Sequence, residues 1–351
     1  MLQLVLIAAL TLSAICSCSP SPARSGKPGD EGTIGWAPVF APVPDREPCS
    51  EARHALLLEP GNPMVLACNL ELGPDDVVTR RLILQGEASS GVTLACNGAS
   101  LRGPTPALVL RSRCDDGACE PLHDVTVDGC QVQGSVYVYG LSVNGNGAIL
   151  RRTHDTVEHV SVVRDAAPYR VTLTGLDIAG TGPVPLYLGP GVHDSEILDT
   201  AIGGRSSSSY LYLDAESTGN RFERLTVDAS QGERQAVSFD GSSANVLLDS
   251  EIISANHGAH FFRNCGEAEV ARHATPSGNQ LNRNTWRVHG DAVVFGSHGG
   301  RQRYCHLDDG VRFGSGQDDR DWARDNTGTG NRFIGGGVRI GDWTNSGNEI
   351  E

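Results

Sequence analysis

The chain has 351 residues, a formal net charge of −14, 43 glycines and only 5% aromatic residues. That acidity argues against duplex nucleic acid as a ligand, because phosphate binding needs a basic surface; it weighs less strongly against an acidic polysaccharide. Abundant glycine suits a fold of strands and turns, and no stretch beyond the N-terminus sustains the 3.6-residue periodicity of a long amphipathic helix.

Residues 1–17 are largely apolar (LVLIAALTLSAI) and run into Ile15-Cys16-Ser17-Cys18. This resembles a bacterial lipoprotein signal, with Cys18 the lipidation candidate because small Ser17 precedes it; an ordinary secretory signal is the alternative. Either reading exports the protein, to the periplasm, outer membrane or cell surface, touching the membrane only through its N-terminal lipid. Residues 18–47, rich in Pro, Gly and Ser, read as a flexible tether, and 48–351 as a single domain.

Export makes the remaining eight cysteines a disulfide set. Cys114 and Cys119 enclose a small loop and are expected to pair. Cys265 and Cys305 occupy matching post-strand positions and are expected to form a second bridge. Cys49, Cys68, Cys96 and Cys130 cross-link the N-terminal coils in a connectivity the sequence leaves open. No Cys-X-X-Cys supports zinc. Within Cys49–Glu59 a few helical turns capped by Ser50 are expected to plug the first coil.

Beyond that helix one phrase recurs: an apolar strand, a Gly/Asp/Asn/Ser break, then a second apolar segment. It appears as VPLYLG from Val184, YLYLD from Tyr210, AVSFD from Ala236, AVVFG from Ala292, NRFIG from Asn331 and GVRIG from Gly337. Starts roughly 20–25 residues apart give the period of a parallel β-solenoid coil. Earlier segments at 123–140 and 157–180 read as less regular coils. Asn220, Asn245, Asn279, Asn326, Asn331 and Asn348 lie near the bends, where asparagine bonds backbone groups and tolerates left-handed geometry.

The segment GVTLACNGASLRG (91–103) resembles the opening coils of the right-handed parallel β-helix, or pectate-lyase-like, superfamily. The resemblance runs from about Val65 to the C-terminus and implies an all-β solenoid with a short N-terminal capping helix. It says little about activity, since that superfamily spans lyases, hydrolases, epimerases, esterases, tailspikes and adhesins.

Period-2 alternation sorts the strand residues into inward and outward sets. The outward residues fall into two columns, Tyr187–Tyr212–Ser238–His260–Val294 and Gly189–Asp214–Asp240–Phe262–Gly296, with Tyr137 and Tyr139 upstream. Asp214 and Asp240 then stand one rung apart, the spacing of a retaining glycosidase pair or a cation site such as calcium; no other cofactor is implied. His260 suits proton transfer and Arg263 a carboxylate. Glu267 adds a substrate-binding candidate, and the loop GSHGGRQRYCHLDD (296–309) adds His298 and Arg301.

These residues point to an extended polysaccharide or oligosaccharide, with Tyr187 and Tyr212 as stacking platforms. The favoured chemistry is a polysaccharide lyase or C5-epimerase, an arginine neutralising the uronate while His or Tyr moves the C5 proton. Glycoside hydrolysis by Asp214 and Asp240, or glycan binding without turnover, are the alternatives.

Overall fold

The computed structural model describes residues 46–115, 118–140, 159–262, 275–296, 323–340 and 347–351. The signal, Cys18 and the tether up to residue 45 lie outside them, while Arg46 bonds the carbonyls of Glu87 and Ser90. The described residues form a right-handed parallel β-helix in which each coil passes once through three parallel sheets. Sheet 1 has ten strands, from Met64–Val65 to Val338–Ile340. Sheet 2 also has ten, from Leu70–Glu71 to Glu349–Ile350, and sheet 3 has nine, from Val77–Val78 to Arg332–Ile334. Among the described residues no helix is long and apolar enough to cross a membrane.

Alternation fixes the register, because slipping a strand by one residue would carry its apolar side chains out of the core. On sheet 1, Leu188, Leu213, Phe239, Phe261 and Phe295 pair coil to coil, all 1% exposed or less. The Phe239 and Phe261 rings stack at 4.3 Å, and the Phe295 ring lies tilted against Phe261 at 4.9 Å. Each such side chain contributes roughly 1.5–3 kcal/mol through burial.

The asparagines form a buried ladder at the corner before sheet 2. Asn220 donates to Asn245, Asn245 to Asn279, Asn279 to Asn326 and Asn326 to Asn348, over 2.8–3.1 Å. A second ladder, Thr200, Ser250, Asn284 and Asn331, turns the chain into sheet 3. The expected role in turns therefore holds, but the expected left-handed geometry belongs to the residue before each asparagine. Gly219, Ala244, Gly278, Asp325 and Gly347 carry the positive φ, so the asparagine side chain is free to bond the next coil.

The capping helix spans Glu51–Leu58, with Ser50 accepting from the Arg53 amide. Disulfides Cys49–Cys68, Cys96–Cys130 and Cys114–Cys119 complete the N-terminal cross-links. One departure from the expected coils is His159–Ala166, which is helical. Its spacing buries His159, Val163 and Ala166 on one face, and Val163, Ala166 and Ala167 pack against Ala215 and the Cys114–Cys119 hairpin. That hairpin, this helix and the short helix Gly86–Ser89 all leave the chain between a sheet 1 strand and a sheet 2 strand.

Candidate functional site

The outward face of sheet 1 carries the expected columns in the expected register. Tyr137 pairs with Tyr187, Tyr187 with Tyr212, Tyr212 with Ser238, Ser238 with His260 and His260 with Val294. Asp240 pairs with Phe262 in the neighbouring column. The rings join into one track: Tyr139–Tyr137 at 5.3 Å, Tyr137–Tyr187 at 5.3 Å, Tyr187–Tyr212 at 6.0 Å, Tyr212–Phe262 at 6.5 Å and Phe262–His260 at 4.7 Å. Every ring in it is only partly buried, which leaves an amphipathic surface for a ligand.

The two aspartates are tucked into this track, each held by the tyrosine of the preceding coil. Tyr187 donates to Asp214 Oδ2 at 2.5 Å, and Tyr212 donates to Asp240 Oδ2 at 2.6 Å. Asp214 Oδ1 also accepts from the Ala215 amide at 2.7 Å. Gly189 makes room for this, since a Cβ there would lie 3.2 Å from the Tyr187 ring and 2.5 Å from the Gly140 amide nitrogen. Burial, then the Asp214 charge, pushes the Tyr187 hydroxyl well above the ordinary tyrosine range. Burial raises Tyr137 and Tyr139 as well.

The two acids differ in access. Asp214 is partly exposed, whereas Asp240 is 2% exposed and Ser238 is fully buried. Ser238 is outward by alternation, yet its hydroxyl is bonded to Ser209 and accepts from Gln235. His260 gives its Nε2 proton to the Gly296 carbonyl at 2.7 Å. His257 sits apart in the turn entering sheet 1, accepting from the Asp291 amide.

The sequence gives no warning of the group beside Asp214. His159, fully buried, places Nε2 3.0 Å from Glu216 Oε1, so the inserted helix is pinned to the turn that carries the acid. Glu216 adopts φ 61°, a geometry rarely taken by non-glycine residues. No repeat pattern exposes such a pair, because His159 lies outside the regular coils. Arg263, Glu267, Cys265, His298, Arg301 and Cys305 lie outside the described residues. Among the described residues no group of three or more His, Cys, Asp or Glu is placed to hold a metal ion.

A separate groove of about 690 Å³ crosses sheet 2, lined by Asp124, Arg170, Asp194, Glu196 and Arg221 among others. Its main charges are already matched: Arg170 with Asp124, Arg164 with Asp194, Arg221 with Glu223. Sheet 1, with its acids inside an aromatic surface, is the better-equipped face.

Fold and face together define a parallel β-helix protein with an acid-bearing aromatic track on one sheet. No family model and no curated protein matches the sequence. Among solved structures, a mutant tailspike of E. coli bacteriophage HK620 in complex with a hexasaccharide is similar at 14% identity and a TM-score of 0.43, over 83% of this chain and 50% of that one. The periplasmic alginate epimerase AlgG is similar at 13% identity and a TM-score of 0.37, over 82% and 78%. The chain thus spans about half the length of the tailspike it matches.

Proposed function

We propose that this is an exported carbohydrate-active protein that lays an extended glycan along the sheet 1 track and acts on it as a polysaccharide lyase or C5-epimerase. The observation that carries this reading is the Tyr187–Asp214 pair within the track. Moving a proton beside a carboxylate needs an ionised base and a protonated acid. Hydrogen bonds to a carboxylate favour its charged form, and Asp214 accepts two. Tyr187, by contrast, is held protonated. A protonated hydroxyl hydrogen-bonded to a carboxyl group is suited to the two halves of a proton transfer.

In this reading Asp214 removes the C5 proton of a uronate and Tyr187 supplies one. Expulsion of the C4 oxygen gives the lyase product; return of a proton to the opposite face of C5 gives the epimer. Tyr137, Tyr139 and Tyr212 seat the sugars. Arg263 and Arg301 are the candidates for neutralising the uronate carboxylate and His260 and His298 for assisting the proton transfer, with Glu267 on the sugar hydroxyls. Retaining hydrolysis needs one protonated carboxyl and an accessible partner, and the burial of Asp240 speaks against it. Three disulfides suit an oxidising compartment, and anchoring through Cys18 belongs to the same proposal.

The test is incubation with a polysaccharide panel, read by ultraviolet absorbance for unsaturated ends, by reducing ends, and by proton NMR for C5 inversion. Unsaturated ends or inversion are expected. Asp214→Asn should reduce either about 100-fold or more while glycan affinity is kept. Reducing ends without unsaturation would point instead to Asp214 and Asp240 as a hydrolytic pair. Binding without turnover in any assay would favour the second reading, a glycan-binding envelope protein. That reading draws on the engagement of His260 with Gly296 and on the burial of Asp240.

A further inference from the structure

The turn that leaves sheet 1 is built on a positive φ. On the coils either side of Asp214 the residue that takes it is glycine: Gly191 at 79°, just before Val192, and Gly241 at 57°, just before Ser242. On the coil between them, just before Ser217, it is Glu216 at 61°. Glycine adopts this geometry freely, whereas other L-residues do so at a cost. Glu216 carries a second cost. Its carboxyl group is buried against His159, with Nε2 3.0 Å from Oε1. Among the described residues its other oxygen, Oε2, is buried and has no hydrogen-bond partner. A strained and under-satisfied residue beside a candidate site points to a functional constraint.

Attaching the helix to the solenoid does not require this residue. The helix His159–Ala166 already rests on Gly191, where an added Cβ would lie 2.4 Å from Val163 Cγ1. Towards its C-terminus His193 donates from Nε2 to the Arg164 carbonyl at 2.9 Å, and Arg164 pairs with Asp194 at 3.1 Å. What Glu216 adds lies on the side of the acid. The residue before it, Ala215, is 1% exposed and packs against Val163, Ala166 and Ala167. The Ala215 amide donates to Asp214 Oδ1 at 2.7 Å. Its carbonyl accepts from the Gly191 amide, and the Glu216 amide donates to the Gly241 carbonyl, both at 3.0 Å. Held between two coils and under the helix, the Ala215 amide has one orientation. With Tyr187 on Oδ2, so has the Asp214 carboxyl group.

We propose that Glu216 is a positioning residue: joined to His159, it locks the turn so that the Ala215 amide and the Tyr187 hydroxyl together aim Asp214 at the sugar on the track. Buried as it is, it acts through Ala215 rather than on the substrate. The proposal rests on Asp214 acting as the base and names what holds that base in its productive orientation. A carboxylate free to turn about its side-chain torsions loses the alignment that makes proton abstraction fast. The tyrosine rings that seat the glycan stay where they are, so the loss falls on the chemical step and not on binding.

The experiment measures kcat and KM on oligouronates, read by ultraviolet absorbance for unsaturated ends and by proton NMR for C5 inversion, together with Tm and amide exchange at Ala215. Wild type is compared with His159→Leu, His159→Gln and the double variant His159→Leu with Glu216→Gly. The double variant gives the turn the glycine of its neighbours and replaces a buried polar pair with an apolar side chain. Such exchanges are often neutral or stabilising, so its Tm is expected to be no lower than that of wild type. Its kcat is expected to fall roughly 10–100-fold with KM unchanged, and exchange at Ala215 to rise. His159→Gln offers an amide donor near the place of Nε2 and should recover most of the turnover that His159→Leu loses; this comparison keeps the test open even where the double variant folds poorly. A double variant as active as wild type, or equal losses in His159→Gln and His159→Leu, overturns the positioning role and leaves the pair a structural fastening. A wild type that turns over none of the oligouronates refutes instead the reading of Asp214 as a base.

Discussion

Tyr212→Phe removes one oxygen and leaves the ring in place, so its cost isolates the bond to Asp240. That bond is 2.6 Å long and its acceptor is 2% exposed. A hydrogen bond to a charged group is worth about 1.5–3 kcal/mol, and a buried acceptor cannot recover it from water. The expected destabilisation is about 2 kcal/mol, or a fall in Tm of roughly 3 °C for a domain of this size. Tyr137→Phe is the comparison, because its hydroxyl meets only the Val184 backbone and Ser135; about 1 kcal/mol is expected there. Urea unfolding followed by tryptophan fluorescence, in a double-mutant cycle with Asp240→Asn, should return a coupling near the full Tyr212 cost. Coupling near zero, with Tyr212→Phe no worse than Tyr137→Phe, would show that the tyrosines are seated by packing and that the acids are incidental to them.

Asn245→Ala withdraws an acceptor from the Asn220 amide and side chain and a donor from Ser217 and Asn279; a loss of about 3 kcal/mol or more is expected in the same unfolding assay. His159→Leu leaves the buried Glu216 carboxyl without its imidazole neighbour, at a cost of about 1–3 kcal/mol, and should raise amide exchange in His159–Ala166 more than in the ladder strands. Burial holds His257 below its ordinary value of 6.5, so the unfolded chain binds more protons in that window. Its contribution to stability is full above 6.5 and is lost as pH falls towards the lowered value; His257→Gln should flatten that part of the urea-midpoint profile. The Arg170 hydrogen bond holds Asp124 below its ordinary 3.8, so that contribution is present above 3.8 and disappears only as pH falls through the lowered value; Asp124→Asn should remove this more acidic step.

The sheet 1 columns were legible because a period of two allows only two faces, and apolar pairs such as Leu211 and Leu213 mark which one is inside. What alternation cannot report is whether an outward residue reaches solvent. Ser238 and Asp240 are outward by pattern and buried in fact, because neighbouring side chains and turns cover them. The asparagine positions were equally visible, but not the division of labour in which the preceding residue takes the strained φ and the amide reaches along the stack. His159–Ala166 was misread as coil because an eight-residue helix whose valines also alternate looks much like a strand.

The turns entering sheet 2 and sheet 3 carry amide and hydroxyl ladders along the stack, the second interrupted where Leu225 stands in place of a polar residue. The connection from sheet 1 to sheet 2 nonetheless accepts a helix, a hairpin and a longer helix ahead of its turn, and the sheet 2 strands that follow keep their pairing. Length can therefore vary on the sheet 1 side of that turn, as rooms can be added along one side of a corridor. In such a scaffold the floor of the site and its walls are free to diverge at different rates. A library of altered specificities would be built by exchanging segments there, with the tyrosines, the acids and the ladders left as they are.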